Sequence, residues 1–188
     1  VERSRGLGDV YKRQLASSLD KKKVLSWTLY DWANSAFATT VMAGFFPIFF
    51  EKYWSNPELV DQSTFYLGVS NSAGSLIVAM MAPFLGAVSD TGSTKKKFLF
   101  TFAFLGILAT SLLWFVEQGD WQLAAILYAV GAIGFASSNV FYDSLLPSVA
   151  KKHEFDFVSS LGYSMGYLGG GVLFIINILM YQNIIKYN

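Results

Sequence analysis

The stretch YDWANSAFATTVMAGFFPIFF, residues 30–50, decides the fold class. At about 1.5 Å per residue, a helix of this length crosses the roughly 30 Å hydrocarbon core of a bilayer. Its first two turns carry the polar side chains of Asp31, Asn34 and Ser35. A carboxylate costs about 2.5–3.5 kcal/mol at the membrane centre on insertion scales, and less near the interface. We therefore expect the rest of the protein either to compensate for Asp31 or to use it.

The composition is that of a membrane protein. Hydrophobic residues make up 53% of the chain and charged residues only 14%, against about a quarter charged in soluble domains. A net charge of +1 argues against nucleic-acid binding through bulk charge. Cysteine is absent, which excludes disulfides and thiolate metal sites, and the single histidine, His153, excludes a multi-histidine site. We expect no metal, no cofactor and no catalytic residues.

Four further segments are long and apolar enough to cross a membrane, and short loops join them. The sequence therefore predicts an all-α, multi-pass helical bundle. The predicted spans cover about residues 24–50, 65–88, 98–116, 121–142 and 158–181.

The two ends of the chain indicate a piece of a longer protein. Residues 1–14, VERSRGLGDVYKRQ, resemble translated adaptor sequence and are left out of the fold prediction. Residues 15–23 form a short basic segment, and residues 24–188 form the predicted bundle. The chain has no initiator Met and stops at Asn188, just after a hydrophobic segment, so we expect the native protein to continue.

The charges of the loops predict a topology. Lysine-bearing segments precede the first span and follow the second and fourth, whereas the segments after the first and third are acidic. Because cytoplasmic loops carry the lysine excess, we expect a cytoplasmic N-terminus, in a bacterial inner membrane. Aromatic rings near the span ends agree with this topology. They are Trp27, Trp32 and Tyr142 at the inner boundary, and Tyr53, Trp54, Tyr66, Trp114 and Trp121 at the outer one.

The loop GAVSDTGSTKKK, residues 86–97, resembles the inner-loop motif of the major facilitator superfamily. That motif has a glycine, an acid four residues later, a small-residue turn and a basic cluster. The matching residues are Gly86, Asp90, Lys95, Lys96 and Lys97. The superfamily usually has an arginine directly after the acid, and Thr91 stands there instead. The resemblance implies that Asp90 caps a helix of the other half and latches one conformation; the lysines could alternatively serve orientation alone.

The first span, with FYDSLLPSVA at 141–150 and GYSMGYLGGG at 162–171, resembles the vacuole-effluxer-like branch of that superfamily. The resemblance implies a twelve-helix transporter made of two six-helix halves, of which this chain holds five helices. Fungal members of the branch are associated with export of amino acids from the vacuole. The resemblance thus implies alternating-access transport of a small organic solute, with amino acids as candidates and a proton or cation as candidate coupling ion.

Two acid–amide pairs lie on the first and fourth predicted helices. Asp31 and Asn34 are three residues apart, and Asn139 and Asp143 are four apart, so each pair shares one helix face. Helices 1 and 4 are counterparts in the inverted repeats of the superfamily, and both line its central cavity. We predict that these four residues, with Ser35, form a polar cluster on the cytoplasmic side of the substrate or ion pathway. This cluster would bind a substrate ammonium or a coupling cation, or close the inner gate. In the alternative, both acids are solvated at the headgroups.

The fifth span carries Gly162, Gly166 and Gly170 at four-residue spacing. This spacing places three glycines on one helix face, which lets a second helix approach backbone to backbone. Simple close packing is one interpretation, and a sliding surface for helix rocking is the other.

Two other functional classes compete with a transporter. A membrane-embedded enzyme would need a nucleophile–base pair or metal ligands within the spans, which contain neither histidine nor cysteine. A complete five-span scaffold or assembly partner is the other alternative. For the transporter, the expected partners are the lipid bilayer, a small-molecule substrate and the missing C-terminal half of the same chain.

Overall fold

The structure is a computed structural model that describes residues 20–55, 60–90 and 94–187. Within these ranges, five helices are long and apolar enough to cross a membrane. They are α1 Lys21–Trp54, α2 Val60–Asp90, α3 Lys95–Leu112, α4 Trp121–Ser144 and, after the short α5 Leu146–Val149, α6 Phe155–Tyr187. The predicted all-α, multi-pass membrane bundle is confirmed. The adaptor-like residues 1–14 lie outside the described residues.

Most of the long helices run a few residues beyond the predicted spans, and polar side chains cap the first turns of α1 and α4. Asp20 accepts the backbone N–H of Lys23 at 3.3 Å and so starts α1 ahead of the apolar run. This hydrogen bond holds the pKa of the Asp20 carboxyl below its usual value. Asp120 caps α4 in the same way through the N–H of Leu123, also at 3.3 Å.

Helix α1 changes its winding along its length. It is α-helical over Lys21–Ala36, π-helical over Phe37–Phe45, α-helical again over Phe46–Phe49 and π-helical over Phe50–Trp54. The longer π-helical segment begins directly after the polar turns of Asn34 and Ser35. Segments of π-helix are rare and frequently occur at functional sites. The sequence pattern gives no signal for this change.

Helix α4 lies at the centre of the bundle. It packs against α2 and α3, while α1 packs along α6. Stacked and tilted aromatic pairs join α1 to α4 along most of their length. These pairs are Trp27–Tyr142 with ring centroids 4.3 Å apart, Phe37–Phe135 at 5.2 Å and Phe46–Tyr128 at 4.1 Å.

Two buried apolar clusters close the bundle at its ends. At the end where α1 begins, the cluster is formed by Val24, Trp27, Tyr142 and Val158. At the end where α1 finishes, it is formed by Phe46, Phe50, Trp54, Val116, Ala124, Ala125 and Tyr128.

Three aromatic residues expected at the membrane boundaries lie inside the bundle instead. Trp27 and Trp54 are each 7% exposed and Tyr142 is 6% exposed. The indole N–H of Trp27 donates to the carbonyl of Tyr142 at 3.1 Å, and that of Trp54 donates to the carbonyl of Val116 at 3.3 Å. Because backbone carbonyls satisfy both indoles, the rings can pack internally. Trp114, by contrast, is 87% exposed, as a boundary ring should be.

Helices α3 and α4 cross where two glycines meet. A Cβ added to Gly134 would lie 2.7 Å from the nitrogen of Gly106 and 2.8 Å from the carbonyl oxygen of Phe102. Both neighbours are backbone atoms, which cannot rotate away. The crossing distance therefore depends on the missing side chain of Gly134.

We predict that Gly134→Ala separates α3 from α4 and destabilises the protein by about 1–3 kcal/mol, the usual cost of overpacking. Thermal unfolding of the detergent-purified protein measures the change. Gly171→Ala is the matched control, because Gly171 also lies within a helix and an added Cβ there meets no atom within 4 Å. An equal melting temperature for Gly134→Ala and the wild type would contradict the proposed crossing.

Candidate functional site

A polar cavity of about 300 Å³ lies between α1, α4 and α6. All five predicted pathway residues line it. They are Asp31, Asn34 and Ser35 from α1, and Asn139 and Asp143 from α4. The structure therefore brings together side chains that are more than a hundred positions apart in the chain. Their role in transport stays a prediction.

A hydrogen bond between two amides joins the two sides of the cavity. Nδ2 of Asn34 donates to Oδ1 of Asn139 at 2.7 Å. Both side chains are partly buried, and the bond connects α1 to α4 between the aromatic contacts at either end of the cavity. In a low-dielectric interior this bond both fixes the helices and satisfies two groups that would be costly to leave unpaired.

The two carboxylates of the cavity carry uncompensated charge. Asp31 is partly buried, and its Oδ1 lies 3.4 Å from the donating hydroxyl of Ser35. Asp143 is exposed at the end of α4. Within the described ranges neither acid forms an ion pair, and no lysine, arginine or histidine lines the cavity. The cavity is thus negatively charged when both acids are ionised.

The three predicted glycines of α6 face α1. A Cβ added to Gly166 would lie 2.6 Å from Oγ of Ser35 and 2.7 Å from Oδ2 of Asp31. Added at Gly162 it would meet the ring of Trp27 at 2.5 Å, and Gly170 is equally tight against α1. The absence of side chains at these positions gives the polar turn of α1 its room. Whether this face also slides stays a prediction.

None of the described inner-loop residues lines the cavity. Gly86 and Asp90 fall in the last turns of α2, while the side chain of Asp90 and the loop 91–93 lie outside the described part. The latch role of Asp90 therefore stays a prediction. Lys95 donates through Nζ to the carbonyl of Ser144 at 2.9 Å, which places a cation at the C-terminal end of α4. Lys96 is exposed at the start of α3.

The cavity also has aromatic walls that the sequence patterns did not identify. Tyr163 and Tyr167 of α6 line it, and so do Trp27 and Tyr142. One signal was present: the two tyrosines are four residues apart, and each directly follows a glycine of the packing face. Trp27 and Tyr142 lie near the ends of predicted spans, and this position predicted that they face the membrane boundary rather than a cavity.

The five long apolar helices define the class: an integral, multi-pass membrane protein. The chain belongs to the vacuole effluxer Atg22-like family, whose model matches residues 57–157. That range contains the whole of α2, α3, α4 and α5 and reaches the first residues of α6. The resemblance to this branch, drawn from the first span, from residues 141–150 and from residues 162–171, is thereby confirmed.

Individual relatives agree with this membership. The chain is 39% identical over 158 residues to an uncharacterized MFS-type transporter, YxiO, of Bacillus subtilis, covering 84% of this chain and 37% of the relative. It is 31% identical over 153 residues to an uncharacterized protein of Aquifex aeolicus, covering 81% and 37%. To autophagy-related protein 22 of Coccidioides immitis it is 25% identical over 174 residues, covering 70% and 29%.

The chain spans only about a third of the length of these relatives. No solved structure matches it. The descriptions of the family and of YxiO as an effluxer and a transporter favour a non-enzymatic role over an enzyme.

We predict that Asn34 and Asn139 are energetically coupled. In a double-mutant cycle with Asn34→Ala and Asn139→Ala, unfolding in a denaturing-detergent titration should give a coupling of about 0.6 kcal/mol, the membrane average, and at most about 1.7. The control cycle pairs Asn34→Ala with Asn177→Ala, because Asn177 donates within its own helix to Leu173 at 2.9 Å. A coupling energy no larger than that of the control cycle would contradict a stabilising hydrogen bond between Asn34 and Asn139.

Proposed function

We propose that this protein is a secondary-active transporter that moves a small organic solute across its membrane by alternating access. Amino acids are the candidate substrates, and export is the candidate direction. The observation that carries the proposal is the cavity of about 300 Å³ that holds Asp31 and Asp143 within an otherwise apolar bundle. Its volume is that of a small-molecule site, and intramembrane acids characteristically mark solute or ion pathways.

The relatives support the same proposal. YxiO is described as an MFS-type transporter, and the family is described as vacuole effluxers, and both descriptions favour movement of a solute across a membrane. Because the chain spans about a third of these relatives, we propose that a C-terminal half supplies the opposite wall of the cavity. Rocking of the two halves would then expose the site to each side in turn, with Asp90 as a latch and the glycine face of α6 as a sliding surface.

The charge distribution supports an orientation with the N-terminus in the cytoplasm of a bacterial cell. Helices α1 and α3 begin, and α4 ends, at the same end of the bundle, as the bond from Lys95 to Ser144 requires. Lysines 21–23, 95–97 and 151–152 all belong to this end. The positive-inside rule assigns such an end to the cytoplasm.

Transport of amino acids is tested with the full-length protein in proteoliposomes. We expect counterflow of a radiolabelled amino acid above that of protein-free vesicles, and a roughly tenfold lower rate for Asp31→Asn, a loss of about 1.4 kcal/mol. Asp156→Asn is the control, because Asp156 is an exposed acid outside the cavity. If Asp31→Asn leaves the transport rate and its pH dependence unchanged, Asp31 takes no part in the mechanism. If no amino acid shows counterflow, amino acids are refuted as the substrate class.

The orientation is tested by labelling single cysteines, since these 188 residues contain none of their own. Gln118→Cys lies in the exposed turn before α4, and Lys152→Cys lies in the exposed turn before α6. We expect an impermeant maleimide added to intact cells to modify the Gln118→Cys variant at once and the Lys152→Cys variant only after permeabilisation. The reverse pattern would place the N-terminus outside.

A further inference from the structure

One residue that lines the cavity, Tyr142, has a buried hydroxyl to which the described part of the bundle supplies no hydrogen-bond partner. Its side chain is 6% exposed and lines the cavity, and its hydroxyl is buried without a hydrogen-bond partner in the described part of the chain. The ring is fixed between Trp27, at a centroid distance of 4.3 Å, and Tyr30, at 5.1 Å. A fixed, buried hydroxyl without a partner is unfavourable. Because Tyr142 lines the cavity, a ligand bound there would supply the partner that the described residues do not.

The charge of the cavity indicates the sign of that ligand. Asp31 and Asp143 line the same space as Tyr142, and no cationic side chain is among the described residues that line it. Two carboxylates facing one partly buried space repel each other and attract a positive charge from solution. The hydroxyl oxygen of Tyr142 can accept a hydrogen bond from the same cation.

The walls of the cavity favour an organic cation over a metal ion. Tyr163 and Tyr167 of α6 and Phe135 of α4 line the cavity with aromatic side chains. Aromatic faces attract ammonium groups and pack against the carbon chain that bears them. Among the described residues no group of three acidic, histidine or cysteine side chains could hold a metal ion. Hard cations such as Ca²⁺ take six to eight oxygen ligands.

We propose that this cavity selects solutes of net positive charge that carry a primary ammonium on an aliphatic chain. The ammonium binds Asp31 and donates a hydrogen bond to the Tyr142 hydroxyl, while Asp143 makes the site prefer a net cation over a zwitterion. The class includes diamines and basic amino acids. This inference rests on the proposed transport function and narrows its substrate.

Binding to the purified full-length protein tests the inference without requiring transport. Isothermal titration with cadaverine, lysine and norleucine compares a diamine, a basic amino acid and a neutral amino acid of similar length. We expect cadaverine and lysine to bind, with norleucine at least tenfold weaker. Binding of cadaverine but not lysine supports the ammonium site and identifies diamines as its ligands. Binding of lysine but not cadaverine identifies basic amino acids as its ligands. Equal affinity for lysine and norleucine overturns the proposal.

Matched variants locate the site. Asp31→Asn and Asp143→Asn should each lower the affinity for the tighter of the two cationic ligands by tenfold or more, and Tyr142→Phe should lower it severalfold. Tyr30→Phe is the control for Tyr142, because Tyr30 also has a buried, unpartnered hydroxyl but does not line this cavity. Unchanged affinity in both aspartate variants would overturn the site, and wild-type melting temperatures would show that any loss is local.

The two proposals fail separately. Counterflow of neutral amino acids by a protein that binds neither cadaverine nor lysine leaves transport standing and refutes the cationic substrate. Cadaverine or lysine binding that is lost in Asp31→Asn, with no counterflow of any solute, leaves the cation site standing and refutes transport.

Discussion

In hydrocarbon, a side-chain amide without a hydrogen-bond partner is costly, and the bond between Asn34 and Asn139 meets this constraint. It lies part-way along the contact between α1 and α4, where the aromatic pairs on either side hold the helices close. The rings bring the backbones together, and the amides fix which residues face each other. The position of the cavity follows from that pairing, because Asp31 and Asp143 lie within a turn of the bonded amides.

Helix α6 determines that this polar region is a cavity rather than a packed core. Its glycines allow close approach to α1, and at Gly166 the missing side chain leaves room for the carboxylate of Asp31. The tyrosines that follow two of these glycines then form the third wall. Close approach and an open polar space thus depend on the same helix: small residues make the contact, and large aromatic residues at its margin enclose the volume. The π-helical winding of α1 begins at this level.

The sequence predicted the fold because a bilayer imposes a length and a polarity on every helix that crosses it. The five spans could be read from apolar runs alone, but most of the helices run beyond those runs into polar sequence, as α1 does where Asp20 caps its first turn. The acid–amide pairs could also be read, since their spacing places them on one helix face. The sequence did not predict the environments of Trp27, Trp54 and Tyr142, because a ring near the end of a span can face either headgroups or neighbouring helices.

By itself the sequence determined that the described ranges hold five helices long and apolar enough to cross a membrane, and which polar residues share a helix face, since both follow from local helix geometry. Only the tertiary structure decided that these residues line one cavity, that Asn34 bonds Asn139 rather than water, and that the hydroxyl of Tyr142 is buried without a partner among the described residues. The physical reason is that helix rotation and neighbour choice depend on long-range packing. Here that packing is set by glycine contacts with α6 and aromatic contacts with α4, which no local pattern encodes.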